Sequence, residues 1–430
     1  MDTSTAVEIC RKAVSVSESD DVVAVVQLDR DGATRFANSA ITQNVASRNG
    51  TLRVQVAFGQ RRGVATVNAF DDESIRQAVT RAEAIARLAP EDTEHLPPVE
   101  PAAYRQLPQR AASTAATDPA RRAEGVASAI AAVGDDELRA AGSYTTEDLL
   151  IAFANSRGAE SAFTRSTASF TTTVLAPTSS GWARESSSDV DDIDPARVAA
   201  RARDFARLGS DPVDVPPGEY RVVLAPAALA EMLTFLLFSA QQKDADEGRS
   251  AFAGKRGTKM FSDRVTLRSV LDDPAVPGVP FDQHGVPSDD IDWIVGGELR
   301  HMMTSRYWAA HKAIPHTPYP LTVRMEGGDK SVEELIGSVE RGLYVTRFWY
   351  TRFVDPMAML LTGMTRDGLF VIEDGKLAGG AKHLRYNDSP LRVLSNIVDM
   401  GRPEVVHGYL TGRFPAVVVD GFRFTSSTSF

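Results

Sequence analysis

Seven histidines carry the ring nitrogens most often recruited for metal or proton chemistry: His95, His284, His301, His311, His316, His383 and His407. Zinc ligands of this type usually sit close together, four apart on a helix or across a tight turn. The nearest pair, His311 and His316 in HKAIPH, is split by Pro315, which argues against a shared helical face. In ELRH, Glu298 and His301 have the i,i+3 spacing of carboxylate-bridged metal sites. Such sites need matching carboxylates on other helices, and no stretch supplies them. Solvated or core-satisfied histidines are therefore the expectation. Cys10 is the only cysteine, which rules out an intramolecular disulfide and a cysteine-cluster metal site. It reads as a small apolar residue of the first helix. No nucleophile elbow, Walker loop or dinucleotide fingerprint is present. The pairs Gly296–Gly297, Gly327–Gly328 and Gly379–Gly380 read as turns rather than phosphate cradles.

Two other stretches are dense in functional groups. RFWYTRF packs four aromatic side chains, a threonine and two arginines into seven residues. On a regular strand Arg347, Trp349 and Thr351 face one way and Phe348, Tyr350 and Arg352 the other. A buried sheet is one reading. An interface or peptide groove is the other, because Trp, Tyr and Arg concentrate at binding hot spots. The run Asp244, Asp246, Glu247 and Arg249 offers acid–base groups, although such runs are usually solvated.

The elements that must hold these groups follow from periodicity. Residues 3–16 fit a helix opened by Thr3 or Ser4. DDVVAVVQLDRDG predicts a strand ending in an Asp-Gly turn, and the next strand ends at Asn49–Gly50. Two more strands follow, then a helix opened by Asp71–Asp72. A Pro-rich, acidic linker spans 91–117. Residues 118–210 loosely repeat the helix, strands, helix order of 1–90, in pattern and not in residues. A third unit, 218–430, is mostly antiparallel β with a few helices. The fold class is α+β. Within the third unit, EMLTFLLFSA (231–240) is a helix apolar on nearly every side.

Composition narrows the function. The 430 residues carry 47 basic and 57 acidic side chains, net −10, with no Lys/Arg-dense block, so nucleic acid is not an expected partner. The N-terminus lacks the basic and apolar regions of a signal peptide. Apolar runs such as MLTFLLF fall far short of the roughly 20 residues that span a bilayer. The expected compartment is the cytoplasm.

The third unit is similar to the TldD/PmbA family. The resemblance rests on GDKSVEELIGSVERGLYVTRF, on YRVVLAPAALAEMLTFLLFSA followed by RSAFAGKRGTKMFSDRVTL, on FDQHGVPSDDIDWIVGGEL, and on GLFVIEDGKLAGGAKHLRYNDSPLRVLSNI. It is specific from about Gly218 onward, and the first two units match in pattern only. The TldD-type subunit of this family is a zinc peptidase with an H-E-x-x-x-H helix and a distant cysteine. Counting back from Ser250-Ala251-Phe252 places that motif at Leu233, Thr234 and Phe238, and the late cysteine has no counterpart. Leucine and phenylalanine have no lone pair for Zn²⁺, and threonine cannot act as the general base.

The resemblance thus implies a PmbA/TldE-type subunit without a cofactor of its own, paired with a TldD-type subunit that holds the zinc. Together they would cleave unfolded or extended peptides. Arg249, Arg347, Trp349 and Tyr350 are the candidates for a substrate groove or interface. A stand-alone peptide-binding or scaffold homodimer is the alternative, and a metal-free enzyme using the 244–249 run a third.

Overall fold

The computed structural model describes residues 1–108, 110–134 and 137–428. Strand β1 (Asp21–Ala37) turns back at Asn38 and Ser39, whose φ angles of 51° and 56° suit a tight two-residue hairpin, and pairs with β2 (Ala40–Phe58). The expected turns at Asp31–Gly32 and Asn49–Gly50 are not turns. Both dipeptides lie mid-strand. Their glycines serve close approach instead: a Cβ on Gly32 would stand 2.1 Å from the Arg122 guanidinium, and one on Gly50 would stand 2.8 Å from the Phe70 ring.

Strands β3 (Arg61–Val67), β4 (Arg139–Asn155), β5 (Glu160–Leu175) and β6 (Ser180–Ser187) complete a six-stranded sheet in the order β3-β2-β1-β4-β5-β6. Each helix–meander–helix unit supplies three strands, and the two meanders join where β1 pairs antiparallel with β4. Four helices cover one face: Thr3–Ser15, Asp72–Leu88, Pro119–Val133 and Pro195–Leu208. Aspartates at 2, 71, 118 and 194 cap them by accepting backbone N–H bonds in the first turn. The first cap is Asp2, one residue before the expected start. Even-numbered strand residues such as Val22, Ala24 and Val26, with Leu150 and Ala152, point into that helical layer.

The opposite, odd-numbered face meets the C-terminal part. There Phe153 and Phe163 pack on Val279 and Phe281. The C-terminal part is built on a mixed 13-stranded sheet, counted among the described residues. At its centre β7 (Gly218–Leu224) lies between Gly412–Ser427, antiparallel, and Arg341–Val345, parallel. The class is α+β, as the sequence predicts. Among the described residues no helix is long and apolar enough to cross a membrane.

Candidate functional site

The β7 strand runs directly into the helix Pro226–Ser239, with proline at its first turn, where a missing N–H costs nothing. Leu229, Leu233, Leu236 and Leu237 are fully buried between this helix and the large sheet. Glu231, Thr234, Phe235 and Phe238 are only partly buried. Their i, i+3, i+4, i+7 spacing makes a single outward stripe. The helix is apolar on nearly every side because the core takes one face and aromatic side chains cover the other. Phe235 meets Phe353 edge-on at 5.2 Å, and Phe238 stacks on Tyr319 at 4.8 Å. At the first turn of the stripe, the Thr351 hydroxyl bonds the Glu231 carboxylate and lies 2.8 Å from the Tyr386 hydroxyl. Burial raises the Glu231 carboxyl, opposed by the Thr351 bond and the positive charge of Arg347.

The positions implied by the H-E-x-x-x-H comparison divide between these faces. Leu233 lies in the core and is 0% exposed. Thr234 and Phe238 lie on the outward stripe. The Thr234 hydroxyl donates to the Ala230 carbonyl, 2.8 Å away. None of the three offers a metal a ligand in place, so zinc does not fit this helix. Among the described residues no three of His, Cys, Asp and Glu stand together as a metal-holding group. His311 stacks on Tyr307, whereas the His316 Nδ1 lies 2.7 Å from the Thr304 carbonyl, so the two rings serve different neighbours. Glu298 pairs with Arg300, and the His301 ring bonds the Asp292 carbonyl.

Arg249 is exposed and pairs with Asp244, at 2.9 Å, and with Glu247. Asp246 accepts the Trp308 indole N–H at 2.8 Å, so the 244–249 run is tied down locally. Arg347, Trp349 and Tyr350 cluster elsewhere. Arg347 pairs with Asp367 and lies 4.8 Å from the centre of the Trp182 ring and 5.8 Å from that of Trp349. Among the described residues the strand Phe348–Asp355 pairs only with Leu360–Thr365, so its other edge is open. The expected alternation fails there. Tyr350 has φ 61°, and the register shifts between Trp349 and Arg352. Trp349 and Tyr350 therefore both face solvent, 46% and 58% exposed, and Phe353, Val354 and Met357 extend the apolar patch.

A cleft of about 770 Å³ opens beside the last turn of the helix, between the odd-numbered face of the six-stranded sheet and C-terminal loops. Arg53, Arg165, Arg306, His284, His316 and Tyr319 line it. Sequence reasoning did not find this site, because its residues come from four strands of the sheet and several C-terminal segments far apart in the chain. The only local signal was FDQHG, whose Asp282 accepts the backbone N–H groups of His284 and Val286 at 2.8 and 3.0 Å.

Comparisons with known proteins agree with this architecture. The sequence matches the PmbA/TldA metallopeptidase domain 1 over residues 22–86, the central domain over 94–209 and the C-terminal domain over 217–426. The structure is similar to TldE from Thermococcus kodakarensis, with TM-score 0.90 and 18% identity over 98% of this chain and 99% of that one. It is also similar to two proteins named as candidate modulators of DNA gyrase. The one from Thermotoga maritima has TM-score 0.85 and 16% identity, over 97% and 99% of the two chains. The one from Bacteroides thetaiotaomicron has TM-score 0.85 and 18% identity, over 98% of each. No curated protein sequence matches the chain. With all three domains matched in order along its length, this chain belongs to the PmbA/TldD family.

Proposed function

We propose that this chain is the non-catalytic, TldE-type subunit of a heteromeric zinc metallopeptidase. A TldD-type partner would hold the zinc, and the two chains would enclose a chamber in which unfolded or extended peptides are cleaved. The observation that carries the reading is the Pro226–Ser239 helix. In a metallopeptidase fold, its Leu233, Thr234 and Phe238 provide neither ligand nor base. The open strand edge at Phe348–Asp355, with Trp349 and Tyr350 exposed, supports a role in assembly. The solitary, buried Cys10 suits the reducing cytoplasm.

The test is hydrolysis of casein or an unstructured peptide by this chain alone, by a zinc-bearing TldD-type chain alone, and by the mixture. Cleavage should require the partner and be strongest in the mixture. Zinc-dependent cleavage by this chain alone would overturn the reading. The same open edge favours a second reading, a peptide-binding homodimer joined strand to strand. Native mass measurement of the purified chain with and without the partner separates the two.

A further inference from the structure

The cleft beside Tyr319 has an unusual charge arrangement for an acidic protein. Its floor is one face of the six-stranded sheet, where Arg53 stands opposite Val25 and Arg165 opposite Leu149. Arg306, the first residue of the short helix Arg306–Lys312, lines the facing side. Among the described residues, none of these three guanidinium groups has a carboxylate within ion-pair distance. Arg53 donates to the Gln55 side chain at 3.2 Å and Arg306 to the Pro97 carbonyl at 2.8 Å. The Arg165 Nε is buried without a hydrogen-bond partner. Glu147, on the same face, lies close enough to feel Arg165 but beyond ion-pair reach.

Among the described residues, Asp282 is the one carboxylate lining the cleft. It is occupied by two backbone N–H groups and stands 3.5 Å from the His316 Nε2. Most other arginines of this net −10 chain have carboxylate partners nearby, as do Arg11, Arg62, Arg110, Arg197, Arg392 and Arg413. Three unpaired cations on one cleft, Arg165 and Arg306 half-buried and Arg53 exposed at its edge, focus a positive field into it, and an anionic guest would supply the missing charge. Between the arginines the walls are apolar, with Ile151, Phe163 and Leu321. A polynucleotide needs a long track of cations, whereas a short acidic peptide needs only the few that this cleft supplies.

We infer that this cleft binds acidic peptide segments in extended form, their carboxylates on Arg53, Arg165 and Arg306 and their apolar side chains on the wall between. The inference rests on the peptide-processing reading and gives it a substrate preference.

The test is fluorescence anisotropy of the full chain with three short labelled peptides. One alternates Glu or Asp with Leu or Phe, the second replaces the acids by Gln and Asn, and the third by Lys. A single-stranded oligonucleotide is the competitor. The acidic peptide should bind at least about tenfold tighter than its amide counterpart, and the difference should shrink at about 0.5 M salt. The double variant Arg53→Gln/Arg165→Gln should lose about tenfold for the acidic peptide and little for the amide one. Arg76→Gln, on an exposed helix, should bind like the parent, and circular dichroism confirms that each variant is folded. Equal binding of acidic and amide peptides, absence of acidic-peptide binding, an unchanged double variant, or an oligonucleotide that binds as tightly would each overturn the inference. Failure of the partner to elicit cleavage would instead sink the subunit reading, and leaves the acid preference to be judged on the binding data alone.

Discussion

Phe238 lies nearly face to face with Tyr319, their ring centroids 4.8 Å apart and their planes 25° from parallel. This contact joins the last turn of the Pro226–Ser239 helix to the wall of the cleft. It also separates the role of Phe238 from that of Leu233, which lies wholly within the core.

Substituting the two residues should therefore give different results. Leu233→Ala leaves a cavity in a packed core and should cost about 2–5 kcal/mol in urea unfolding. Phe238→Ala removes a partly exposed ring and one stacking contact, and should cost about 1–2 kcal/mol. Equal costs would mean that the helix is rotated from the orientation described.

The exposed patch at Trp349 and Tyr350 predicts the reverse balance of stability and assembly. Neither ring is buried, so Trp349→Ala/Tyr350→Ala should change unfolding stability by less than about 1 kcal/mol. If the patch is the partner surface, the same variant should fail to co-elute with a TldD-type chain in size-exclusion chromatography. Co-elution at parental affinity would move the interface elsewhere.

His407 predicts a pH dependence. Burial, reinforced by the positive charges of Arg184 and Arg165, holds its imidazole down to about 4. The unfolded ring titrates near 6.5, so the unfolded chain takes up a proton first as pH falls. The contribution is fully present above about pH 6.5 and is lost as pH drops toward 4. At about pH 5 the loss from this residue should be roughly 1–2 kcal/mol, discounted for the ring's partial exposure. His407→Asn should flatten that part of the stability profile. An unchanged slope in the variant would show that the ring titrates normally in the fold.

The Cys10 thiol is completely buried and its pKa is pushed up to about 12 by loss of water. It should resist Ellman's reagent at about pH 8 in the native protein and react as a single thiol once the chain is denatured. Rapid labelling of the folded protein would show that the first helix, Thr3–Ser15, opens readily.

The periodic elements were legible in the sequence because burial itself is periodic. Asp71 marked a helix start, and the loss of histidine and glutamate at Leu233, Thr234 and Phe238 could be read directly. Long-range effects hid the rest. Gly32 and Gly50 read as turns because local chemistry cannot show that Arg122 and Phe70 press on those strands. The alternation across RFWYTRF failed because Tyr350 takes a left-handed conformation, a choice made by the bulged pairing with Leu360–Thr365. The cleft was invisible because Arg53, Arg165 and Arg306 meet only once the sheet has formed and docked on the C-terminal part.

Gly32 supplies the sharpest stability test of that long-range packing. Arg122 is only 1% exposed, and its guanidinium donates to the Val45 carbonyl at 3.0 Å and reaches the Thr146 hydroxyl at 3.3 Å. It ties the helix Pro119–Val133 to the far end of the β1–β2 hairpin. A methyl group on residue 32 would occupy the place of that guanidinium, so Gly32→Ala must displace a buried charge from its acceptors. The expected cost is about 2–4 kcal/mol. Arg122→Met removes both the charge and part of the obstruction, so adding Gly32→Ala to it should cost at least about 1 kcal/mol less than in the parent. The double-mutant cycle, read by urea unfolding, measures this coupling. Equal costs in the two backgrounds would mean that the strand carries the penalty and that Arg122 does not fill the space beside residue 32.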